Sequence, residues 1–251
     1  MPKLEKEIYN YWNNRTPMTW GPYKEMHILR YGLQDYMHKV FDFDKWKGKT
    51  ILEIGAGAGI DAVEFARYGA IVHATDLTDK AIGHTTELAN KLNINLNIRK
   101  ADATNLPYEN EFFDLVYAFG ILHHIPQVEK AMDEIHRVLK PGGKCYAMLY
   151  HKNSLLYHYS ILYLWGILYN GFREGLTEEQ LTSRYSEAKK GCPYTKAYTV
   201  DEARELFKFF SDVDITIEYP MIDTIADRKI RVPNLPKHLG WHLIVKAKKP
   251  C

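Results

Sequence analysis

The stretch Leu52-Glu53-Ile54-Gly55-Ala56-Gly57-Ala58-Gly59 decides how the rest of the chain is read. Ile51, Leu52 and Ile54 make a short apolar run, the glycines follow at alternate positions, and Ile60, Val63 and Ala66 then share one helical face. This is strand, glycine turn, helix. A side chain on such a turn would keep a ligand away from the backbone and from the helix N-terminus, so Gly55, Gly57 and Gly59 mark a candidate binding loop. The dinucleotide form of the loop needs glycine or alanine one residue after Gly59, and Ile60 stands there, which argues against nicotinamide and flavin cofactors.

The same alternation continues outward. Ala70 to Thr75 reads as a second strand ending at Asp76, with Thr78 opening a helix behind it. Ile94, Leu96 and Ile98 alternate with asparagines as a third strand, and Phe113 to Phe119 reads as a fourth. A helix starts near Pro126, presents Val128, Met132, Ile135 and Leu139 on one face, and stops at Pro141-Gly142-Gly143. Lys144 to Tyr150 is the fifth strand. Thr199 and Glu202 form a capping box for a helix running to about Phe210, and the alternating Val213 to Tyr219 and Trp241 to Lys248 supply two final strands. Strands alternating with helices imply an α/β fold with a mostly parallel sheet. A chain of 251 residues, 46% apolar and 25% charged, suffices for one core, so residues 1–251 are expected to form a single domain. Within it, 1–45 form an aromatic, helical N-terminal cap interrupted by Pro17 and Pro22, and 46–152 the core. Residues 153–198 form a helical insertion after strand 5, and 199–251 the last helix and strands 6 and 7.

The net charge of +2 comes from interspersed charges, which gives no footprint for nucleic acid. Cys145, Cys192 and Cys251 are unpaired in number and lie far apart, arguing against a disulfide framework or a structural zinc site and for a reducing cytoplasm. The charged N-terminus lacks the apolar core of an export signal.

Two acidic residues follow strands at positions suited to a nucleoside. Asp76 sits where a carboxylate accepts both hydrogen bonds from a ribose diol, and Asp102, in KADATNLP, where one meets an adenine amino group; a plain turn residue is the alternative for each. Together LEIGAGAG, Asp76, ADATNLPY, FFDLVYAFGILHHI and HRVLKPGG resemble the class I S-adenosylmethionine-dependent methyltransferases, particularly the group that includes ubiquinone and menaquinone biosynthesis enzymes. The resemblance covers roughly residues 49 to 150. It implies a Rossmann-like seven-stranded sheet of order 3-2-1-4-5-7-6 with helices on both faces, and S-adenosyl-L-methionine as cofactor. Carried onto this chain, it sets Gly55, Ala56, Gly57 and Gly59 beneath the methionine and ribose, and Asp76 on the ribose hydroxyls. Leu77, Asp102 and Ala103 fall around the adenine, and Phe119 and Gly120 face the sulfonium. Glu53 either anchors the cofactor's amino group or is a buried structural carboxylate.

Methyl transfer from a sulfonium asks the protein for alignment, desolvation and sometimes a base. His123 and His124 follow strand 4 on the substrate side and are candidate bases, with loop packing the alternative. A metal at this pair is not expected, because adjacent rings diverge and no third ligand has suitable spacing. Tyr11, Trp12 and Arg15 lie in a cap with no strand to join, so the N-terminal segment either closes over the cofactor or packs outside the sheet. Asn153 to Phe172 has no formal charge and is long enough to span a membrane, but the strands on both its sides are expected in one sheet, which argues against a crossing. Its Tyr157 and Tyr159, with Tyr150, are expected to wall the acceptor pocket, the alternative being a subunit interface. Met221 to Gly240 is longer than a hairpin needs and is a candidate functional loop.

The function expected is methyl transfer to the O, N or C of a small aromatic or hydrophobic acceptor, by a monomer or homodimer. Two alternatives accompany it: a methyltransferase for a lipid or quinone in peripheral contact with a membrane, and a catalytically silent cofactor-binding regulator.

Overall fold

The computed structural model describes residues 2–15, 22–187, 190–223, 229–232 and 234–251. Pro17, Trp20 and Pro233 lie outside them. Strands β1 (Thr50–Ile54), β2 (Ile71–Asp76), β3 (Asn97–Lys100), β4 (Phe113–Phe119) and β5 (Leu139–His151) run parallel in the order β3-β2-β1-β4-β5. A two-residue strand β6 (Ala197–Tyr198) lies beside the end of β5. Beyond β5 come β10 (His242–Lys248), antiparallel to it, and β7 (Ser211–Glu218); β8 (Met221–Asp223) and β9 (Lys229–Arg231) form a separate hairpin. Counting the main strands alone, the order is the expected 3-2-1-4-5-7-6.

The central strands are apolar on both sides because both faces of the sheet are covered. One core gathers Leu52, Ile54, Val116 and Leu243 beneath α6 (Val128–Val138) and α8 (Val200–Leu206). The other packs Ile51, Leu115, Tyr117 and Met148 against α2 (Tyr23–Leu33) and α3 (Met37–Phe41), together with α4 (Ile60–Arg67) and α5 (Asp79–Leu92), chiefly through Met37, Phe41, Phe43, Phe65 and Leu88, while α1 (Lys3–Asn14) lies against α5. The insertion, a wide π-type helix (Leu156–Leu168) followed by α7 (Glu178–Tyr185), forms a third cluster around Leu156, Ile161, Leu181 and Trp241. Among the described residues no helix is long and apolar enough to cross a membrane.

Several boundaries differ from the sequence reading. Ile94 closes the end of α5 from just beyond it, where Asn93 adopts φ 52° and the Ile94 amide donates to Ala89 O, and β3 starts only at Asn97. The Pro141-Gly142-Gly143 stop is a bulge within β5, whose pairing jumps from Phe113–Leu139 to Leu115–Lys144. α8 ends at Leu206 rather than Phe210.

Candidate active site

At the carboxyl ends of the parallel strands, where sheets of this kind hold ligands, lies a cavity of about 860 Å³. The β1–α4 loop forms its floor. Gly55 and Ala56 amides donate to Thr75 O at 2.8 and 2.9 Å, which ties the loop to the end of β2. Gly57 has φ 57°, and a Cβ built there meets nothing nearer than Gly55 O at 4.0 Å, so the glycine leaves room over the backbone. Gly59 serves another purpose. It caps α4 with φ 79°, and a Cβ there would lie 2.8 Å from Thr85 Cγ2, so it permits α4 and α5 to pack closely. It does not line the cavity.

Asp76 ends β2 at the cavity wall. Its Oδ1 accepts from Thr78 N and Oγ1, both at 2.9 Å, and its Oδ2 from Gly57 N at 3.1 Å. Burial raises its pKa, opposed by these bonds. Leu77, Asp102, Thr104, Phe119 and Gly120 continue the lining. Asp102 is exposed and also closes its own turn through Thr104 N at 2.9 Å, whereas Ala103 turns into the core and is off the cavity.

Glu53 lies on the cavity wall, buried, with Oε2 unpartnered; burial and the nearby Asp61 push its pKa well up. Arg30, from α2, reaches the same wall and grips Asp61 through Nε (3.1 Å) and Nη2 (2.6 Å), with Tyr31 and Tyr117 hydroxyls each donating to Asp61 at 2.9 Å. Its guanidinium lies 4.4 Å from the centre of the Phe119 ring. Neither Arg30 nor Asp61 figured in the sequence reading.

The far end is aromatic. Tyr150 stacks between His123 (centroids 3.7 Å apart) and Trp241 (4.4 Å), while Tyr219 stacks on His242 at 4.8 Å. β10 is antiparallel and Tyr150 pairs with His242, so the start of β10 shares an edge with the end of β5. Tyr219, directly after β7, is held at φ 64°, an uncommon conformation for a bulky residue that turns the chain into the cavity wall. Burial pushes His242 down to about 3.

One buried charge cluster stands in this wall. Glu187, from the segment after α7, accepts from Arg15 Nη1 at 2.6 Å and from the Tyr150 hydroxyl at 2.5 Å, and lies 3.4 Å from His124 Nε2. His124 Nδ1 lies 3.1 Å from Tyr194 O and 3.2 Å from Thr195 Oγ1. Although burial opposes its charging, the Cys192 and Glu187 contacts raise the His124 pKa to about 9. Glu187 is held well below the usual carboxylate range, the neighbouring His124 and Arg15 outweighing its burial.

The two histidines therefore part company. His124 lines the cavity, whereas His123 is fully buried behind Tyr150, off the cavity, with neither ring nitrogen hydrogen-bonded and its pKa pushed well down by burial and by His124. The spacing argument against a third ligand also fails: His123, His124 and Glu187 offer atoms within 4.8 Å of one another, brought together by the fold rather than by sequence proximity. In the cap, Ile8, Trp12 and Arg15 line the cavity, while Tyr11 packs edge-on against Trp12 and does not. α1 is pinned across the mouth by Tyr9 to Asp79 (2.7 Å) and Gln127 to Glu5 (2.8 Å). Tyr157 and Tyr159 do not wall the cavity. The Tyr157 hydroxyl donates to Glu178 at 3.1 Å and the side chain faces a separate cleft of about 570 Å³; Tyr159 stacks on Tyr163. The insertion reaches the site through Ser186 and Glu187 instead.

Residues 52–147 match the methyltransferase domain family. The ubiquinone biosynthesis O-methyltransferase of Coxiella burnetii is 26% identical over 174 residues, covering 68% of this chain and 71% of the relative. The chain carries a methyltransferase domain and is an S-adenosylmethionine-dependent methyltransferase. A sterol 24-C-methyltransferase of Saccharomyces cerevisiae is 27% identical over 74% of the methyltransferase and 44% of its own length. Among solved structures, an S-adenosylmethionine-dependent methyltransferase of Methanosarcina mazei superposes with a TM-score of 0.61 at 20% identity, over 84% of this chain and 97% of the other. The residues of the methyltransferase suit its cofactor, S-adenosylmethionine. The open space over Gly57 admits a ligand against the loop, and the unpartnered Glu53 Oε2 and Trp12 Nε1 leave a buried acceptor and donor at the cavity.

Proposed function

We propose that this methyltransferase O-methylates a small aromatic acceptor that presents an acidic hydroxyl. When bound, S-adenosylmethionine supplies an electrophilic methyl group on a sulfonium, which the acceptor takes by in-line displacement. Gly55, Ala56 and Gly57 hold the methionine and ribose end, Asp76 takes the ribose hydroxyls, and Leu77 and Asp102 border the adenine. Glu53 takes the amino group, and Phe119 and Gly120 border the reacting centre. Trp12, Trp241 and the edge of Tyr150 border the acceptor ring and exclude water.

The observation that carries the reading is the charge cluster at the aromatic end. Arg15 and a His124 held protonated up to about pH 9 share the one carboxylate of Glu187, which leaves a net positive, desolvated site suited to an anionic oxygen. His124 then acts as a cationic hydrogen-bond donor to the acceptor oxygenate, rather than as the base that a neutral histidine would provide. That the Coxiella relative is an O-methyltransferase supports oxygen as the atom methylated. The test is methyl transfer to phenols, catechols and aromatic amines across pH ~6 to ~10. The reading expects O-methyl products and a rate that falls as His124 deprotonates near 9, with that limb lost in His124→Asn. A rate that climbs through that pH makes His124 a base instead, and amine products alone overturn the acceptor class.

A second reading, an acceptor carried on a lipid or quinone tail, is favoured by the exposed Tyr163, Ile167, Leu168 and Phe172 on the insertion. Co-sedimentation with anionic lipid vesicles, lost in Ile167→Asp, is expected on this reading, and no sedimentation removes it.

A further inference from the structure

On the outer side of the cap, away from the cavity lining, a second cluster joins three elements. His27 from α2 places Nε2 3.1 Å from Glu64 Oε2, and His38 from α3 places Nε2 3.5 Å from Glu64 Oε1. Glu64 belongs to α4, and the Tyr23 hydroxyl also donates to it at 3.2 Å. The three candidate ligand atoms lie within 4.8 Å of one another. From this juxtaposition we propose that His27, His38 and Glu64 form a binding site for a zinc-class divalent cation.

The geometry fits such an ion. Tetrahedral zinc with bonds of about 2.0–2.1 Å holds its donor atoms roughly 3.3 Å apart; here the imidazoles approach the two oxygens of one carboxylate at 3.1 and 3.5 Å, and one donor atom from each residue lies within 4.8 Å of the others, so the set has only to draw in slightly to close on the ion. The charge fits as well. The Glu64 side chain is 5% exposed, and a carboxylate removed from water needs a counter-charge. Among the described residues its ion-pair partners are both imidazoles, which supply charge only when protonated or when they share a cation with the carboxylate. The imidazoles are already oriented by packing: Tyr31 lies 4.6 Å from His27 and 4.5 Å from His38, with Phe43 5.1 Å from His38. Neighbours that fix ligand rings in this way raise metal affinity. The histidine side chains are 32% and 39% exposed, so an ion can enter from solvent and keep water as a fourth ligand. The buried cluster His123, His124 and Glu187 lacks this freedom, because its carboxylate is already held by Arg15 and Tyr150.

A cation here ties α2 and α3 to α4, the helix that opens from the glycine loop and carries Asp61, so it braces the cap beside Arg30. The test is titration of tag-free, chelator-treated full-length protein with Co²⁺ alone, followed by visible absorption, and with Zn²⁺ alone, followed by calorimetry and thermal melting. The proposal expects one ion per chain, intense low-coordinate Co²⁺ bands, and a rise in melting temperature. Affinity should fall at least tenfold in His27→Ala and in His38→Ala, in line with loss of one of three ligands. Glu64→Gln repeats the test if it folds, and the partly exposed His38 keeps the test open if it does not. An absent Co²⁺ spectrum overturns the proposal. So does a spectrum unchanged in both histidine variants, including one lost only in Glu187→Gln, which would assign the ion to the other cluster.

Discussion

Replacing Glu187 by Gln removes the carboxylate that, together with the Cys192 contact, keeps His124 charged inside the protein. In the native fold the His124 pKa stands at about 9, raised from 6.5, and each unit corresponds to 1.36 kcal/mol, so the shift amounts to about 3 kcal/mol of stability. The side chains are only 3% and 7% exposed, so solvent screening takes little from that figure. The sign follows from the direction of the shift. A group whose folded pKa is raised contributes its full stabilisation below the unfolded value near 6.5 and loses it as pH rises through about 9. Glu187 is shifted the other way, and its contribution is lost only in acid, far from this window. Urea unfolding of wild type and Glu187→Gln at pH ~6.5, ~8 and ~9.5 should show the wild type losing more than the variant across the series, by the Glu187 share of that ~3 kcal/mol, since the Cys192 contact supplies the rest and survives in the variant. Parallel curves would mean that Glu187 does not hold His124 as a cation in the native state, and the charge assignment behind the proposed acceptor would fall with it.

Gly59→Ala should destabilise the fold by roughly 1–3 kcal/mol in denaturant melts, because the added methyl meets Thr85 at 2.8 Å on a backbone with φ 79°. Asp61→Ala, which strands the Arg30 guanidinium at the cavity wall, should cost about 3–5 kcal/mol in the same assay, and a loss below 1 kcal/mol would show that Arg30 finds water instead.

The parallel sheet was legible because its signals are local. Glycine turns, strand-ending acids and capping threonines each sit within a few residues of the element they shape, and Thr78 and Thr199 cap the helices expected of them. The strand-end half of the cavity, proposed to hold the cofactor, follows, since Glu53, Gly55, Asp76, Leu77 and Asp102 all end or follow strands at one edge. The acceptor half was largely hidden. Glu187 reaches His124 across sixty-odd residues from an irregular segment, and neither its spacing nor its neighbours carry a periodic signal. Trp241 and His242 could have been found, because an antiparallel strand pairing with β5 must begin where β5 ends. Tyr157 and Tyr159 misled because aromatic composition does not say which way a helix faces; the apolar insertion turns Leu156, Tyr157 and Ile161 toward its own core. Of the adjacent histidines, only three-dimensional packing separates the buried His123 from the cavity-lining His124.

On the proposed reading the loop from Gly55 to Gly57 and the carboxylate of Asp76 hold the methionine and ribose of S-adenosylmethionine. This is tested most directly by calorimetric titration of S-adenosylhomocysteine into wild type and Asp76→Ala, with NAD as the control ligand. The account predicts one S-adenosylhomocysteine per chain, no NAD binding, and an affinity lowered roughly tenfold to a hundredfold in the variant, matching the ~1.5–3 kcal/mol carried by hydrogen bonds to a charged group. An unchanged dissociation constant in a folded Asp76→Ala protein, or NAD bound in place of S-adenosylhomocysteine, would contradict it.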